Sequence, residues 1–213
     1  MSYFFGLTYA RITMLTPIFT PEMKRRAVLG RLAALAGLGV VSYVGFRWLR
    51  LNISPNFEEL SQHKKLIAAL ADVIIPKTDS PAASESGVEE FIIKMIIECS
   101  DTKTQNNFIE GLEEVEDYSS QKFNTSFIDC SPDQKNQVIT VLSDREKSKN
   151  VIVAKVQRKL LGNTFFATLK EYTVIGYFTS KAGATEALRY SLVPSKYIAC
   201  QPYAIGEKAW ATF

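Results

Sequence analysis

The sequence predicts an all-α protein, a compact bundle of about five or six helices with an N-terminal signal or anchor helix and an extended C-terminal tail. Three observations predict it. Apolar residues recur at helical spacing through most of the chain after residue 55. Ser-Pro pairs at Ser54-Pro55 and Ser131-Pro132 stand where helices should start. Beyond residue 190 the aromatic residues lose any period and two prolines intervene, as in an extended segment.

Residues 1–50 read as an N-terminal extension and a targeting segment, and 51–213 as one helical domain of about 160 residues, enough chain to bury a sizeable core. Arg25 and Arg26 follow Lys24 and precede a weakly apolar run rich in Ala and Gly, a pattern that resembles a twin-arginine export signal. The run without charge, Leu32 to Phe46, has 15 residues. A spanning helix needs about 20. Cleavage and retention as an inner-membrane anchor both stay open, with membrane contact through residues 27–49. Residues 1–22 place the arginine pair unusually far from the start, so Met14 and Met23 compete as initiators.

Charge divides at the same boundary. The chain carries net +3, but residues 1–50 hold seven Lys or Arg and one acid, leaving 18 basic against 21 acidic residues in 51–213. A domain at −3 argues against nucleic acid as a partner, because phosphate backbones require a concentrated basic face. Three cysteines, Cys99, Cys130 and Cys200, allow at most one internal disulfide.

Taken in order, the first helix is expected to start at Ser54-Pro55, to bury Phe57, Leu60, Ile67, Leu70 and Ile74, and to stop at Pro76. His63, the single histidine, lies in the polar run Ser61 to Lys65 and reads as a solvated helix residue. Residues 75–86 carry two prolines, three serines and Asp79, a fixed surface loop. A second helix opens near Gly87 and ends about Cys99, whose place on an apolar helix predicts a buried, inert thiol. The third, Thr104 to Tyr118, buries Phe108, Leu112 and Val115, and its acids Glu110, Glu113, Glu114, Glu116 and Asp117 form a solvated face. Ser131 and Gln134 form a capping box for a fourth helix through Val138, Val141 and Leu142, followed by a charged linking turn from Asp144 to Asn150. Val151 to about Phe178 is the longest periodic segment and reads as the central helix, with Val156, Leu160, Leu161, Phe165, Leu169, Tyr172 and Ile175 at helical intervals. Gly162 and Gly176 are the places where it loosens or ends. A short helix around Leu188 precedes the tail with Tyr197, Cys200, Tyr203 and Trp210.

Motifs for chemistry are missing from the sequence. It has no Gly-x-Gly-x-x-Gly, no phosphate loop, no Cys-x-x-Cys and no Cys-x-x-Cys-His. The cysteines and His63 lie 31 or more residues apart, far from the paired spacing of a zinc site. No catalytic, cofactor or metal residue is assigned.

With these absences stand several positive motifs: the leader, Leu70-Ala71-Asp72-Val73-Ile74-Ile75-Pro76-Lys77-Thr78-Asp79-Ser80-Pro81, Gly87-Val88-x-x-Phe91, Phe165 with Leu169, Tyr172-Thr173-x-x-Gly176-Tyr177-Phe178-Thr179-Ser180, and Cys200-x-Pro202. Together, over about residues 55 to 205, they resemble the gluconate 2-dehydrogenase subunit 3 family. The resemblance implies a small, non-catalytic subunit of a periplasmic sugar or polyol dehydrogenase. Its large partner would be an FAD-carrying flavoprotein of the glucose-methanol-choline type, often with a cytochrome as third subunit. The small subunit would carry the export signal and escort the folded, flavin-loaded partner. Two other readings are a membrane-anchored periplasmic scaffold and an independent periplasmic enzyme.

Interfaces favour aromatic residues. The residues expected to touch the catalytic subunit are therefore Pro76, Thr78, Asp79 and Pro81 of the loop, with Tyr177, Phe178, Tyr197, Cys200, Tyr203 and Trp210. For Tyr177 and Phe178, closure of the chain's own core is the competing expectation. Cys200 is the candidate for a disulfide to the partner, with Cys130–Cys200 as the internal rival.

Overall fold

The computed structural model describes residues 42, 45–147, 151–193, 200, 202 and 204–211. The chain divides into two compact units, Met1–Tyr43 and Val44–Phe213. Arg25, Arg26, Tyr197 and Tyr203 lie outside the described residues. In the second unit the described residues are helical, and their one β element is an isolated bridge between Arg189 and Trp210.

Residues 45–51 are helical and end on Leu51, which is fully buried. The first predicted helix is two, α1 (Phe57–Gln62) and α2 (Lys64–Ile74). The break is His63, whose backbone (φ −84°, ψ 10°) leaves the helical region. The imidazole is half-buried at that break, not on a solvated helix face. The start also shifts: Asn56, not Ser54, caps α1 by accepting from Glu58 N at 3.2 Å. Pro55 therefore stands before the helix and not at its first position. Phe57 consequently falls at the open first turn and stays partly exposed, whereas Leu60, Ile67 and Leu70 are buried as expected.

After a 3₁₀ turn (Ser84–Ser86), Gly87 in left-handed conformation opens α3 (Val88–Cys99). Cys99 is exposed there, against expectation: it shares the face of Ile92 and Ile96, at i+7 and i+3, but is the last residue of the helix. The longest described helix is α4 (Thr102–Phe123), extending the expected third helix at both ends. Asp101 caps its start through Thr104 N, and Asn124 in left-handed conformation (φ 56°) closes it. Its acids are not uniformly solvated. Glu110 pairs with Arg50 at 3.2 Å and Arg47 at 3.6 Å, and Glu116 accepts from Ser126 Oγ and Phe127 N.

The capping box opens α5 (Pro132–Lys147) as predicted. Gln134 N donates to Ser131 Oγ at 3.3 Å and Ser131 N to Gln134 Oε1 at 2.8 Å. The helix continues through 144–147, where the charge run predicted a turn. An exposed face tolerates charge without ending a helix, and Arg145 pairs with Glu114 across to α4.

The expected central helix is also two, α6 (Val151–Leu161) and α7 (Phe165–Thr179). Gly162 has φ +81°, a left-handed conformation at the end of α6. A Cβ there would lie 2.9 Å from Thr104 N, so the first turn of α4 presses on the junction. That turn also supplies partners: Asn107 Nδ2 donates to the carbonyls of Leu161 (2.7 Å) and Asn163 (2.9 Å), and Asn163 N donates to Thr104 Oγ1. The last carbonyl of α6, Leu161 O, is thereby satisfied, and Leu160 O accepts from Lys103 Nζ. Only α7 is central. It packs on α3 and α4 and buries Phe165, Leu169, Thr173, Gly176 and Tyr177. Phe165 lies over Gly111, where a Cβ would come within 2.1 Å of its ring, and tilts against Phe108 at 5.2 Å. Val156 and Leu160 of α6, expected in the core, are exposed. The expected short helix at Leu188 is a π turn, Gly183–Ala187.

Candidate partner interface

The loop between α2 and α3 is held at its base by backbone and carboxylate. Ala83 N donates to Ile75 O at 3.2 Å, and Asp72 receives both Ser84 N (2.8 Å) and Ser84 Oγ (2.7 Å). Pro76 and Pro81 fix φ on either side of the tip. Within the tip Thr78 N donates to Ser80 O and Thr78 Oγ1 to Asp79 Oδ1 at 3.0 Å. Lys77 spans to Glu85 at 2.8 Å. Pro76, Lys77, Thr78 and Asp79 are exposed; Ser80 and Pro81 are half-buried. The result is a preformed protrusion whose ordering entropy is met within the chain itself.

Tyr177 joins this loop to α7. Its ring is 1% exposed and its hydroxyl donates to Pro81 O at 2.8 Å. Tyr177 is thus a core residue of this chain, and its role at the loop is to fix it from below. Phe178 is different. It stands edge-on to Tyr177 with ring centres 5.3 Å apart and is 40% exposed, alongside Val174 and Ile175. At i, i+1 and i+4 these three form one stripe. A helix apolar on all sides is normally covered on all sides. Here α7 leaves that stripe open.

The C-terminal segment returns to the same region. Arg189 N donates to Ala209 O (2.8 Å) and Ala211 N to Arg189 O (3.0 Å), while the Arg189 guanidinium lies 4.3 Å over the Trp210 ring and pairs with Glu207 at 2.8 Å. Trp210 therefore has a partner in its own chain but keeps 38% of its surface open. Lys208 donates to Glu186 O within the π turn. The carboxyl of Asp79 is held below its ordinary range, first by the Thr78 hydroxyl, then by its own backbone N–H, with a smaller contribution from the Lys208 charge. The loop tip, the end of α7 and residues 207–210 thus converge on one region. Ile205, almost fully exposed, extends it.

Of the expected contact residues, Pro76, Thr78, Asp79 and Pro81 share one loop, Tyr177 holds that loop through Pro81 O, Phe178 lies against Tyr177, Trp210 packs on Arg189, and Cys200 is exposed. Asp72, Val174, Ile175, Arg189 and Lys208 escaped the sequence reading. Asp72 left a signal, a lone acid in the last turn of α2 before a serine-rich loop. The others left none, since their neighbours come from distant parts of the chain.

The cysteines are all free thiols. Cys200 is exposed; Cys130 is buried, and burial pushes its thiol pKa up, toward the unreactive form. The internal Cys130–Cys200 bond is not formed. Among the described residues no group of three His, Cys, Asp or Glu is placed to hold a metal, and no helix is long and apolar enough to cross a membrane. A crevice between α4 and α5, lined by Val115, Tyr118, Val138 and Leu142, measures about 10 Å³. That is room for one water, not for a cofactor.

No curated protein and no solved structure matches the chain. The family model described as gluconate 2-dehydrogenase subunit 3 matches residues 61–194, more than half of the chain. The matched span runs from the end of α1 through the tethered loop and α7 to the turn beyond it. This chain belongs to the gluconate 2-dehydrogenase subunit 3 family.

Proposed function

We propose that this chain is the non-catalytic small subunit of a periplasmic FAD-dependent sugar or polyol dehydrogenase, and that it escorts and stabilises the catalytic flavoprotein. The observation that carries the reading is the family match together with the open stripe Val174, Ile175 and Phe178 beside a rigid loop. An apolar stripe next to preformed polar protrusions is what a stable partner surface needs: an apolar centre with a polar rim. Asp79, Thr78 and Lys77 supply the rim. FAD and substrate belong to the partner, and a cytochrome would join as a third subunit. Arg25 and Arg26 would route the assembled pair through the twin-arginine pathway. Exposed Cys200 offers the covalent tie to the flavoprotein; Tyr197 and Tyr203 would flank it on the same segment.

The test is native purification of the tagged chain from its own host, read by mass spectrometry and flavin absorbance. A stoichiometric flavoprotein is expected. It should disappear from the periplasm with Arg25→Lys/Arg26→Lys and weaken about tenfold or more with Phe178→Asp. A chain recovered alone and colourless would overturn the reading.

A further inference from the structure

The opposite charge pattern gathers at another place, where α6 ends. Lys103 Nζ donates to Leu160 O at 2.9 Å and lies 5.7 Å from the centre of the Trp48 ring. Arg47 donates to Asn107 Oδ1, and Asn107 in turn holds Leu161 O. The end of α6, the first turn of α4 and helical residues 45–51 are therefore neighbours. The apolar side chains around this junction are open: Phe46 (67%), Leu49 (63%), Ile53 (63%), Val156 (53%), Leu160 (46%) and Trp48 (44%).

Beside them stand cations. Lys155, Arg158 and Lys159, at i, i+3 and i+4, form a basic stripe along α6 next to the apolar stripe of Val156 and Leu160. Among the described residues none of the three is ion-paired. Lys103, Arg47 and Arg50 add to them, against Glu110, which pairs with both arginines, and Asp101, which caps α4. A domain that is net acidic thus gathers these cations beside these open apolar side chains. A short helix with one apolar and one basic stripe, flanked by an exposed tryptophan, suits the plane of an anionic bilayer surface. Eleven residues cannot span a bilayer, but they can lie in its interface.

We propose that α6 and residues 46–53 form a docking surface for anionic lipid headgroups, which lays this end of the domain on the membrane. The proposal is independent of the flavoprotein reading, which uses α7 and the loop.

The experiment is flotation of the full-length chain with vesicles of zwitterionic phosphatidylcholine, with and without 30 mol% phosphatidylglycerol. The expected results are preference for the anionic vesicles, loss of that preference in Lys155→Glu/Arg158→Glu/Lys159→Glu, and about tenfold weaker partitioning in Val156→Ser/Leu160→Ser. Both sets lie on an exposed face, so circular dichroism and thermal melts should match the parent. Trp48 supplies a second readout in a Trp210→Phe background: its emission should shift to the blue with anionic vesicles and be quenched by lipids brominated near the headgroup. Unchanged partitioning of both α6 variants, with no Trp48 shift, overturns the proposal. So does unchanged lipid binding with lost flavoprotein capture, which would assign α6 to the protein partner.

Discussion

Helices α6 and α7 are adjacent in the chain, similar in pattern, and opposite in environment. Each carries apolar residues at helical spacing, and three residues separate them. Yet α7 sits between α3 and α4 with Leu169 fully buried, while α6 leaves Val156 and Leu160 open. The difference lies in the partners. Helix α7 meets Gly111, which lets Phe165 approach the backbone of α4, and Phe91, which lies over Gly176. Among the described residues no such receiving surface faces Val156 and Leu160 of α6. Periodicity therefore reports that a face exists, not what covers it.

Leucines placed on the two helices break this comparison most directly. Leu169→Ala should destabilise the fold by about 3 kcal/mol, with a matching fall in urea midpoint, because a packed core cannot close over the lost atoms. Leu160→Ala should stay within about 0.5 kcal/mol of the parent. Equal losses would mean that α6 is covered in the free chain.

The junction is the next largest effect. Gly162→Ala must hold an L-residue at φ +81° and bring its Cβ to 2.9 Å from Thr104 N. We expect about 2 kcal/mol of destabilisation in the same urea titration. A neutral result would show the two helices fusing into one, as the periodicity alone suggests.

Tyr177→Phe sharpens the contrast at the other end of α7. It removes one hydrogen bond to Pro81 O and should reduce stability by about 1 kcal/mol. The larger sign is local: amide exchange across residues 76–83 should accelerate well beyond that of α7. Uniform acceleration would show that the loop does not depend on this tether.

The smallest effect is a pH dependence on α4. The Glu113 carboxyl is raised above its ordinary range of 4.5, first by burial, then by a hydrogen bond and charge from Glu59. A carboxyl whose folded pKa exceeds its unfolded value stabilises the fold below the unfolded pKa, and that contribution is lost as pH rises through the folded pKa. Glu113→Gln should therefore match the parent in acid and gain on it above that window. Because the side chain is largely exposed, the gain should be no more than about 2 °C in Tm. A difference independent of pH would exclude the Glu59–Glu113 repulsion as its cause.

Much of the fold was legible because its signals are local. The capping box at Ser131 and Gln134, the opening of α3 at Gly87 and the buried stripe of Phe108, Leu112 and Val115 each depend on residues within a turn or two. The candidate interface was legible in part. Proline, threonine and aspartate spelled out the loop, whereas the stripe Val174, Ile175 and Phe178 reads in sequence like any buried helix face. Cys99 shows the same limit: it shares the face of the buried Ile92 and Ile96 yet is exposed at the helix end, and periodicity does not say how far along a helix the core reaches.

By itself, then, the sequence determined the helical class, the capping box at Ser131 and Gln134, the loop and the family, because hydrogen bonds within a turn and fixed proline dihedrals need no distant partner. Only the tertiary structure decided where the long periodic segment breaks, which apolar stripes are covered, and that Tyr177 of α7 holds the loop. Those outcomes rest on Thr104, Asn107, Gly111 and Tyr177 meeting residues more than fifty positions away. Packing at such separation is settled by the shape of the whole core, and no local pattern encodes it.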